Sequence, residues 1–363
     1  MKNFIHKIHY SKNLSVIQYL LRLPLWFVSL FYAVGVWVRN FLYDVGILPM
    51  VKLPQTVISI GNLTTGGTGK TPVTAEIAKI AAKSGKKVVI LSRGYGGSLP
   101  LDEVSLISDG EQVFYDAKQS GDEPFWHAQN TKGVAVITCK DRVKAAKWAV
   151  ENLGAELFIL DDGFQYRKLA RDLNIILVDG HKKFGNEMLL PAGPLREPLS
   201  QIKRADKVIV VNKIPYDKQT VRDCRAYSIY LIKQFDKEVF GCNIAATGIH
   251  RIGSNVPVMS MKNVYAFTGV AQPEFFFESL RAHQHNLVKK LEFDDHYAYQ
   301  KDDLVNIIED AKKSGADIIV TTEKDFVKLS AYIDEVSLDI PLYTARQAVE
   351  LDIAGLLKGT VEY

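Results

Sequence analysis

The stretch Val57-Ile-Ser-Ile-Gly-Asn-Leu-Thr-Thr-Gly-Gly-Thr-Gly-Lys-Thr71 decides how the rest of the chain is read. Val57–Ile60 is a short β-prone run. It leads into a loop with Gly66, Gly67 and Gly69. A helix then opens at Lys70-Thr71-Pro72, with Val73, Ile77, Ile80 and Ala81 at helical spacing over Pro72–Ser84. A strand, a glycine-rich loop and a helix in that order turn backbone N–H groups inward around phosphate oxygens, and the helix N-terminus adds partial positive charge. Thr64, Thr65, Gly66, Gly67, Thr68, Gly69, Lys70 and Thr71 are therefore the expected triphosphate cradle. Lys70 is expected to reach the β- and γ-phosphates, and the Thr71 hydroxyl to ligate Mg²⁺. The usual eight-residue pattern begins with glycine, where this chain has Thr64. Pro72 suits an early helical position, where its missing N–H costs nothing.

Working outward, β-branched runs recur at Val88–Leu91, Val134–Thr138, Leu157–Leu160, Ile175–Val178, Val208–Val211, Val264–Thr268 and Ile318–Thr321. Amphipathic stretches lie between several of them, including Asp141–Leu153 and Lys301–Ser314. Strands buried on both faces and alternating with helices predict an α/β fold: a P-loop NTPase-like, doubly wound, mostly parallel sheet. A helical stretch ends near residue 235, an extended segment follows over Lys237–Ile252, and a second β/α series starts near Val264. The expected division is an N-terminal helical segment (1–50), a nucleotide-binding domain (51–235) and a smaller C-terminal α/β domain (236–363).

A phosphate loop calls for a carboxylate beside the metal. Leu157-Phe-Ile-Leu-Asp161-Asp162-Gly163 offers two, at the end of an apolar run that faces the ligand edge of the sheet. The same Asp-Gly is also an ordinary strand-to-turn signal. A second pair, Asp122-Glu123, precedes Pro124 and reads equally as a helix start. His296, in Phe293-Asp-Asp-His-Tyr297, is either a surface residue or the partner of a carboxylate. Arg93 and Arg171 carry the planar fork that suits phosphate, and compete with a surface ion-pair reading. Tyr95, between Gly94 and Gly96, is placed to stack on a sugar or to support Arg93.

The 363 residues hold 45 Lys+Arg and 41 Asp+Glu, and the net +4 resides in the first 50. Lys2, Lys7, Lys12, Arg22 and Arg39 there face only Asp44. The balanced remainder lacks the basic face of a nucleic-acid binder. Mean hydropathy close to zero excludes a polytopic membrane protein. Three scattered cysteines, Cys139, Cys224 and Cys242, give neither a disulfide framework nor a zinc spacing. Residues 23–38, LPLWFVSLFYAVGVWV, are 16 uncharged residues between Arg22 and Arg39. As a helix they span roughly 24 Å, short of the ~30 Å hydrocarbon core. Dense aromatics and flanking cations predict a helix in contact with a membrane surface rather than a crossing; the competing reading is a buried core helix.

Taken in order, these segments resemble the tetraacyldisaccharide 4′-kinase family. The resemblance rests on Gly61–Pro72, Leu91-Ser-Arg-Gly-Tyr-Gly96, Gly121-Asp-Glu-Pro124, Leu160-Asp-Asp-Gly-Phe-Gln165, Arg171-Asp172, the run Leu189–Pro198, Ala266–Pro273, Asp295-His-Tyr297 and Thr321-Thr-Glu-Lys-Asp325. Thr64 at the first loop position is a trait of that family. Tyr166, where the family often has histidine, and Glu187-Met188, where it often has glycine, are departures. The resemblance implies ATP- and Mg²⁺-dependent phosphorylation of the 4′-hydroxyl of an acylated glucosamine disaccharide 1-phosphate, giving lipid IVA in lipid A synthesis. It also implies a place at the cytoplasmic face of the inner membrane, with the lipid and the membrane surface as partners and no obligate protein partner. It assigns Asp122 as the base, supported by His296; Lys70 is expected on the phosphates, and Glu123, Asp161 and Asp162 around the metal, directly or through water. A regulatory P-loop NTPase without a lipid acceptor, and a soluble kinase for a small metabolite, are the alternatives.

Overall fold

The computed structural model describes residues 7–11, 15–214, 217–252, 258, 260–295 and 297–361. The first long element, α1 (Val16–Asp44), is 29 residues, about 43 Å at 1.5 Å per residue. Its start is set by a capping box in which Ser15 Oγ accepts from Gln18 N and Gln18 Oε1 accepts from Ser15 N. Pro24 lies inside the helix without ending it. The short helix expected from residues 23–38 is thus extended at both ends. Residues 18–44 are long and apolar enough, by length and composition, to cross a membrane. Its burial is inside out. Phe31 is 80% and Trp37 64% exposed, whereas Ser29 and Asn40 are buried against the protein body. The buried-core-helix reading does not hold.

The strands are β1 (Thr56–Gly61), β2 (Val88–Ser92), β3 (Ser105–Ser108), β4 (Ala135–Thr138), β5 (Leu157–Asp161), β6 (Leu173–Asp179), β7 (Lys207–Asn212), β8 (Glu238–Arg251), β9 (Asn263–Thr268), β10 (Asn286–Glu292), β11 (Ile318–Thr322) and β12 (Leu342–Glu350). The helices after α1 are α2 (Lys70–Ala82), α3 (Ala117–Ser120), α4 (Asp122–Asn130), α5 (Arg142–Leu153), α6 (Lys218–Phe235), α7 (Pro273–Ala282), α8 (Lys301–Lys313), α9 (Glu323–Leu329) and α10 (Ile353–Leu357). All strands join one sheet in the order β10-β9-β11-β12-β8-β7-β6-β1-β5-β2-β4-β3. Among the described residues, antiparallel pairing occurs between named strands only where β3 meets β4 and β8 meets β12.

Alternate residues of each central strand face opposite layers. Ile58 and Ile60 of β1 pack with Val73, Ile77 and Ala81 of α2. Val57 and Phe158 pack with Val143, Ala146 and Ala149 of α5. In the C-terminal half, Tyr265 and Phe267 meet Leu304 and Ile308 of α8, while Val264 and Ala266 meet Phe276 and Leu280 of α7. Helices therefore cover both faces throughout. The two halves share a strand. The first part of β8 runs parallel to β7 over Glu238–Asn243, and its second part runs antiparallel to β12 over Asn243–Arg251. The three cysteines are free and buried.

Candidate active site

The C-terminal ends of β1, β2 and β5 open onto one side of a cleft; β9 and β11, which run the opposite way because β8 and β12 pair antiparallel, bring their C-terminal ends to its other side, and the described residues singled out from sequence gather around it. After β1 the chain passes through Thr64, which bridges Leu195, and Thr65, whose N–H donates to Pro194 O at 2.8 Å. Asn62 Nδ2 donates to Thr68 Oγ1 at 3.0 Å and closes the base of the loop. Gly66 and Gly69 sit at φ +101° and +88°, the left-handed region that a side chain disfavours. Gly69 is the N-cap of α2, so Lys70 and Thr71 begin the helix beneath the loop.

Lys70 Nζ lies 3.5 Å from Asp162 Oδ1. Asp162 is held in the left-handed region at φ 51° in the turn after β5, and Arg196 Nη1 bonds both its carboxylate oxygens at 2.7 and 3.0 Å. Burial pushes this carboxyl up, but Lys70 and Arg196 more than offset it and hold it at about 2. Asp161 points the other way, into the protein. Its two oxygens meet Thr74 Oγ1 of α2 at 3.3 Å and His127 Nε2 of α4 at 3.0 Å. Both acids are at the site, but only Asp162 faces the cleft.

The third wall is the start of α4. Gly121 sits at φ +90°, and a Cβ there would lie 2.6 Å from Tyr95 O, so the loop after β2 lies flush against the helix that opens with Asp122. Asp122 Oδ2 meets Lys328 Nζ at 3.1 Å, and Glu123 Oε1 meets Lys324 Nζ at 2.9 Å. Both lysines come from α9, in the C-terminal half. Burial raises the Glu123 carboxyl, but Lys324 and Lys70 outweigh it and hold it at about 2, against a smaller opposing push from Asp162. Glu123, Asp162 and Lys70 thus share one local field. Lys328 also donates to Tyr297 O at 3.3 Å, which brings the stretch carrying Asp295 and Tyr297 to the same corner. His296 lies outside the described residues.

Arg93 is exposed at the rim, and no carboxylate among the described residues lies within ion-pair distance of it. Tyr95 beside it is 77% exposed. Arg171 is placed differently. Its guanidinium donates to the carbonyls of Gly163 at 3.0 Å, of Phe164 and of Tyr166, and so braces the turn that carries Asp162. Burial, with Arg204 and Arg167 nearby, lowers its pKa to about 10, which leaves it charged at neutral pH. Lys213, after β7, donates to Gly67 O, to Asp179 Oδ2 at 2.8 Å and to Gln272 Oε1, tying the loop to both halves of the sheet.

Four contributors were not assigned from the sequence: Arg196, Lys324, Lys328 and His127. Arg196 and Lys324 lie inside runs already marked as distinctive. Lys328 follows Lys324, and His127 follows Glu123, by one helical turn, so helical periodicity extended from either residue points to its partner. No group of three or more His, Cys, Asp or Glu among the described residues forms a closed metal cage. The available donors are oxygens, from Thr71, Asp162 and Glu123. An open oxygen set with few carboxylates suits Mg²⁺, which keeps several waters and shares its shell with phosphate.

A phosphate loop at the C-terminal edge of a parallel sheet, with an acid pair at the end of a neighbouring strand, defines a P-loop phosphotransferase. The sequence profile of the tetraacyldisaccharide-1-P 4′-kinases matches residues 21–359. Tetraacyldisaccharide 4′-kinase of Desulfotalea psychrophila is 38% identical over 332 residues, covering 88% of this chain and 90% of its own. That of Pelobacter propionicus is 43% identical over 308 residues, covering 83% and 81%. The crystal structure of LpxK from Aquifex aeolicus in complex with ATP superimposes with a TM-score of 0.74 at 33% identity, covering 94% of this chain and 98% of that one. The chain belongs to the tetraacyldisaccharide 4′-kinase family.

Proposed function

We propose that this kinase transfers the γ-phosphoryl group of ATP to the 4′-hydroxyl of a tetraacylated glucosamine disaccharide 1-phosphate, giving lipid IVA for lipid A synthesis. The observation that carries this reading is the meeting of Lys70 and Asp162 on one side of the cleft with Asp122 and Glu123 on the other, in a chain of this family. Lys70 and the N–H groups of the loop bind the β- and γ-phosphates. Thr71, Asp162 and Glu123 would hold Mg²⁺, with Asp161 behind them orienting the end of β5. When bound, Mg²⁺ would supply positive charge to offset that of the phosphate oxygens. Arg93 and Tyr95 contact the substrate from the rim, and Arg171 acts through the turn it braces.

The acceptor hydroxyl is a weak acid, so a base is needed as the new O–P bond forms. Asp122 accepts that proton late in the transfer, and ADP leaves with the electrons of the broken β–γ bond. His296 supports Asp122 from the C-terminal half. The division at 50 and 235 then has a mechanistic meaning: the base and its partner arise in different parts, joined through β8. The apolar α1 places the cleft beside a lipid acceptor, at the cytoplasmic face of the inner membrane.

The reading is tested by product analysis. With ATP, Mg²⁺ and the disaccharide 1-phosphate, ³¹P spectra of the lipid fraction should gain a second phosphomonoester signal, coupled to the 4′ proton. ATP consumption with a single lipid signal would point to an NTPase with no lipid acceptor.

A further inference from the structure

With glycine at 66, 67 and 69, the side chains of the phosphate loop fix little of its path. The path depends on what the residues before Gly66 are fastened to, and they are fastened to the segment 189–197. Arg196 N donates to Leu63 O at 2.7 Å, Thr65 N donates to Pro194 O at 2.8 Å, and Thr64 bridges Leu195 between them. The same segment turns the Arg196 guanidinium onto both carboxylate oxygens of Asp162. One short run of chain thus sets the entry to the triphosphate cradle and the acid beside Lys70.

Segment 189–197 belongs to no helix and to no strand of the sheet, so it must be held in place from outside. Part of that hold comes from α1. Ser29, Tyr32, Val36 and Asn40 recur at steps of three and four residues and form the inner face of the helix. Ser29 Oγ accepts from Ala192 N at 3.0 Å, Tyr32 OH donates to Arg196 O at 2.9 Å, and Asn40 Nδ2 donates to Glu197 Oε2 at 3.1 Å. Just before the helix, His9 Nε2 lies 3.0 Å from Pro191 O, and Tyr10 OH donates to Thr65 O at 3.2 Å. Arg196 is therefore gripped at both ends of its backbone, its N–H by the loop and its carbonyl by the helix. A pure anchor needs only to be tied to the protein body. These ties converge instead on the segment that touches the loop.

We propose that α1 is a positioning element of the phosphate loop, with Tyr32 and Ser29 as positioning residues that act through segment 189–197 on Thr65 and Asp162. The inference rests on the reading of the loop as the ATP site, and the test separates the two. The full chain in detergent is titrated with ATP and Mg²⁺ by calorimetry, without acceptor. Tyr32→Phe should weaken ATP binding about threefold and S29A/Y32F about tenfold, as for one and two hydrogen bonds relayed to the site. Val34→Ala, on the outward face and 59% exposed, should bind ATP as the wild type does. In turnover, the KM for ATP should rise by the same factors, with the KM for the acyl disaccharide unchanged.

Amide hydrogen exchange tells positioning from general loosening. In S29A/Y32F the amides of Thr65 and Arg196 should exchange about tenfold faster, and those of Ile77 and Ala81 in α2 at the wild-type rate. If the double variant folds poorly, Tyr32→Phe alone, which removes one oxygen, carries the same expectation with a smaller change. Wild-type ATP affinity in both variants, or unchanged exchange at Thr65, overturns the proposal, and so does faster exchange spread evenly into α2. Wild-type protein that binds no ATP would sink the kinase reading instead, and exchange at Thr65 would still decide the role of α1.

Discussion

Helices α1 and α2 use burial in opposite ways. Helix α2 hides its apolar residues: Val73, Ile77, Ala78 and Ala81 are sealed between the helix and the sheet, and only its N-terminus meets the cleft. Helix α1 hides its polar ones. Ser29 Oγ donates to Leu189 O and accepts from Ala192 N, both at 3.0 Å, and Tyr32 OH donates to Arg196 O at 2.9 Å. Asn40 and Arg39 both donate to Glu197, which is fully buried and also takes Arg204. Its leucines and aromatics point away. One helix is held by the hydrophobic effect; the other is held by hydrogen bonds and ion pairs, and leaves its apolar side exposed. The two are linked through residues 188–197. That segment receives the bonds of α1, and it donates Arg196 N to Leu63 O and the Arg196 guanidinium to Asp162.

The largest effect expected from breaking this contrast is at the head of α2. Lys70→Ala should lower turnover by on the order of 10³, with Tm within a few degrees of wild type, because its head group serves the cleft rather than the core. Asp122→Ala should lower kcat by roughly 10²–10⁴ while ATP still binds.

Next come the two kinds of anchor. Glu197→Ala leaves Arg39, Arg204 and Asn40 without their shared acceptor, and should cost about 3–5 kcal/mol in chemical denaturation. Ile77→Ala, on the buried side of α2, should cost about 2–4 kcal/mol through a cavity. The outward face of α1 should behave differently. Phe31→Glu with Trp37→Glu should leave Tm unchanged and abolish flotation with vesicles; retained flotation would remove the lipid role of that face.

The smallest effect is on acid stability. Burial raises Asp179, but Lys213 and the N–H groups of Lys182 and His181 hold it at about 2, against an ordinary 3.8. A carboxyl lowered on folding stabilises above its unfolded pKa and loses that contribution as pH falls toward the folded value. Denaturation should therefore ease between about pH 4 and 2 by up to about 2 kcal/mol from this group, and Asp179→Asn should flatten that slope.

The eight β-branched runs all became strands, because strands covered on both faces need continuous apolar sequence. Four strands had no such run in the sequence: β3, four residues long, β8, read only as an extended segment, the lysine-bearing edge strand β10, and the half-exposed β12. The order of strand, glycine loop and helix around Gly66–Lys70 was legible, since that geometry is backbone and local. Its supporting contacts were not. Arg196 on Asp162, Lys324 on Glu123 and His127 on Asp161 join residues 34, 201 and 34 positions apart, and no periodicity reports such pairs. The length of α1 was underestimated for a related reason: Arg39, Asn40 and Asp44 look like the polar end of an apolar run, yet each has a partner in the protein body.

The most direct measurement follows the phosphoryl group. Wild-type protein and Lys70→Ala are incubated with γ-labelled ATP, Mg²⁺ and vesicles carrying the acyl disaccharide 1-phosphate, and the label is divided between lipid and free phosphate. Label in the lipid from wild type, and its loss in the variant, is the expected result. Label found only as free phosphate, or equal lipid labelling by both proteins, would contradict it.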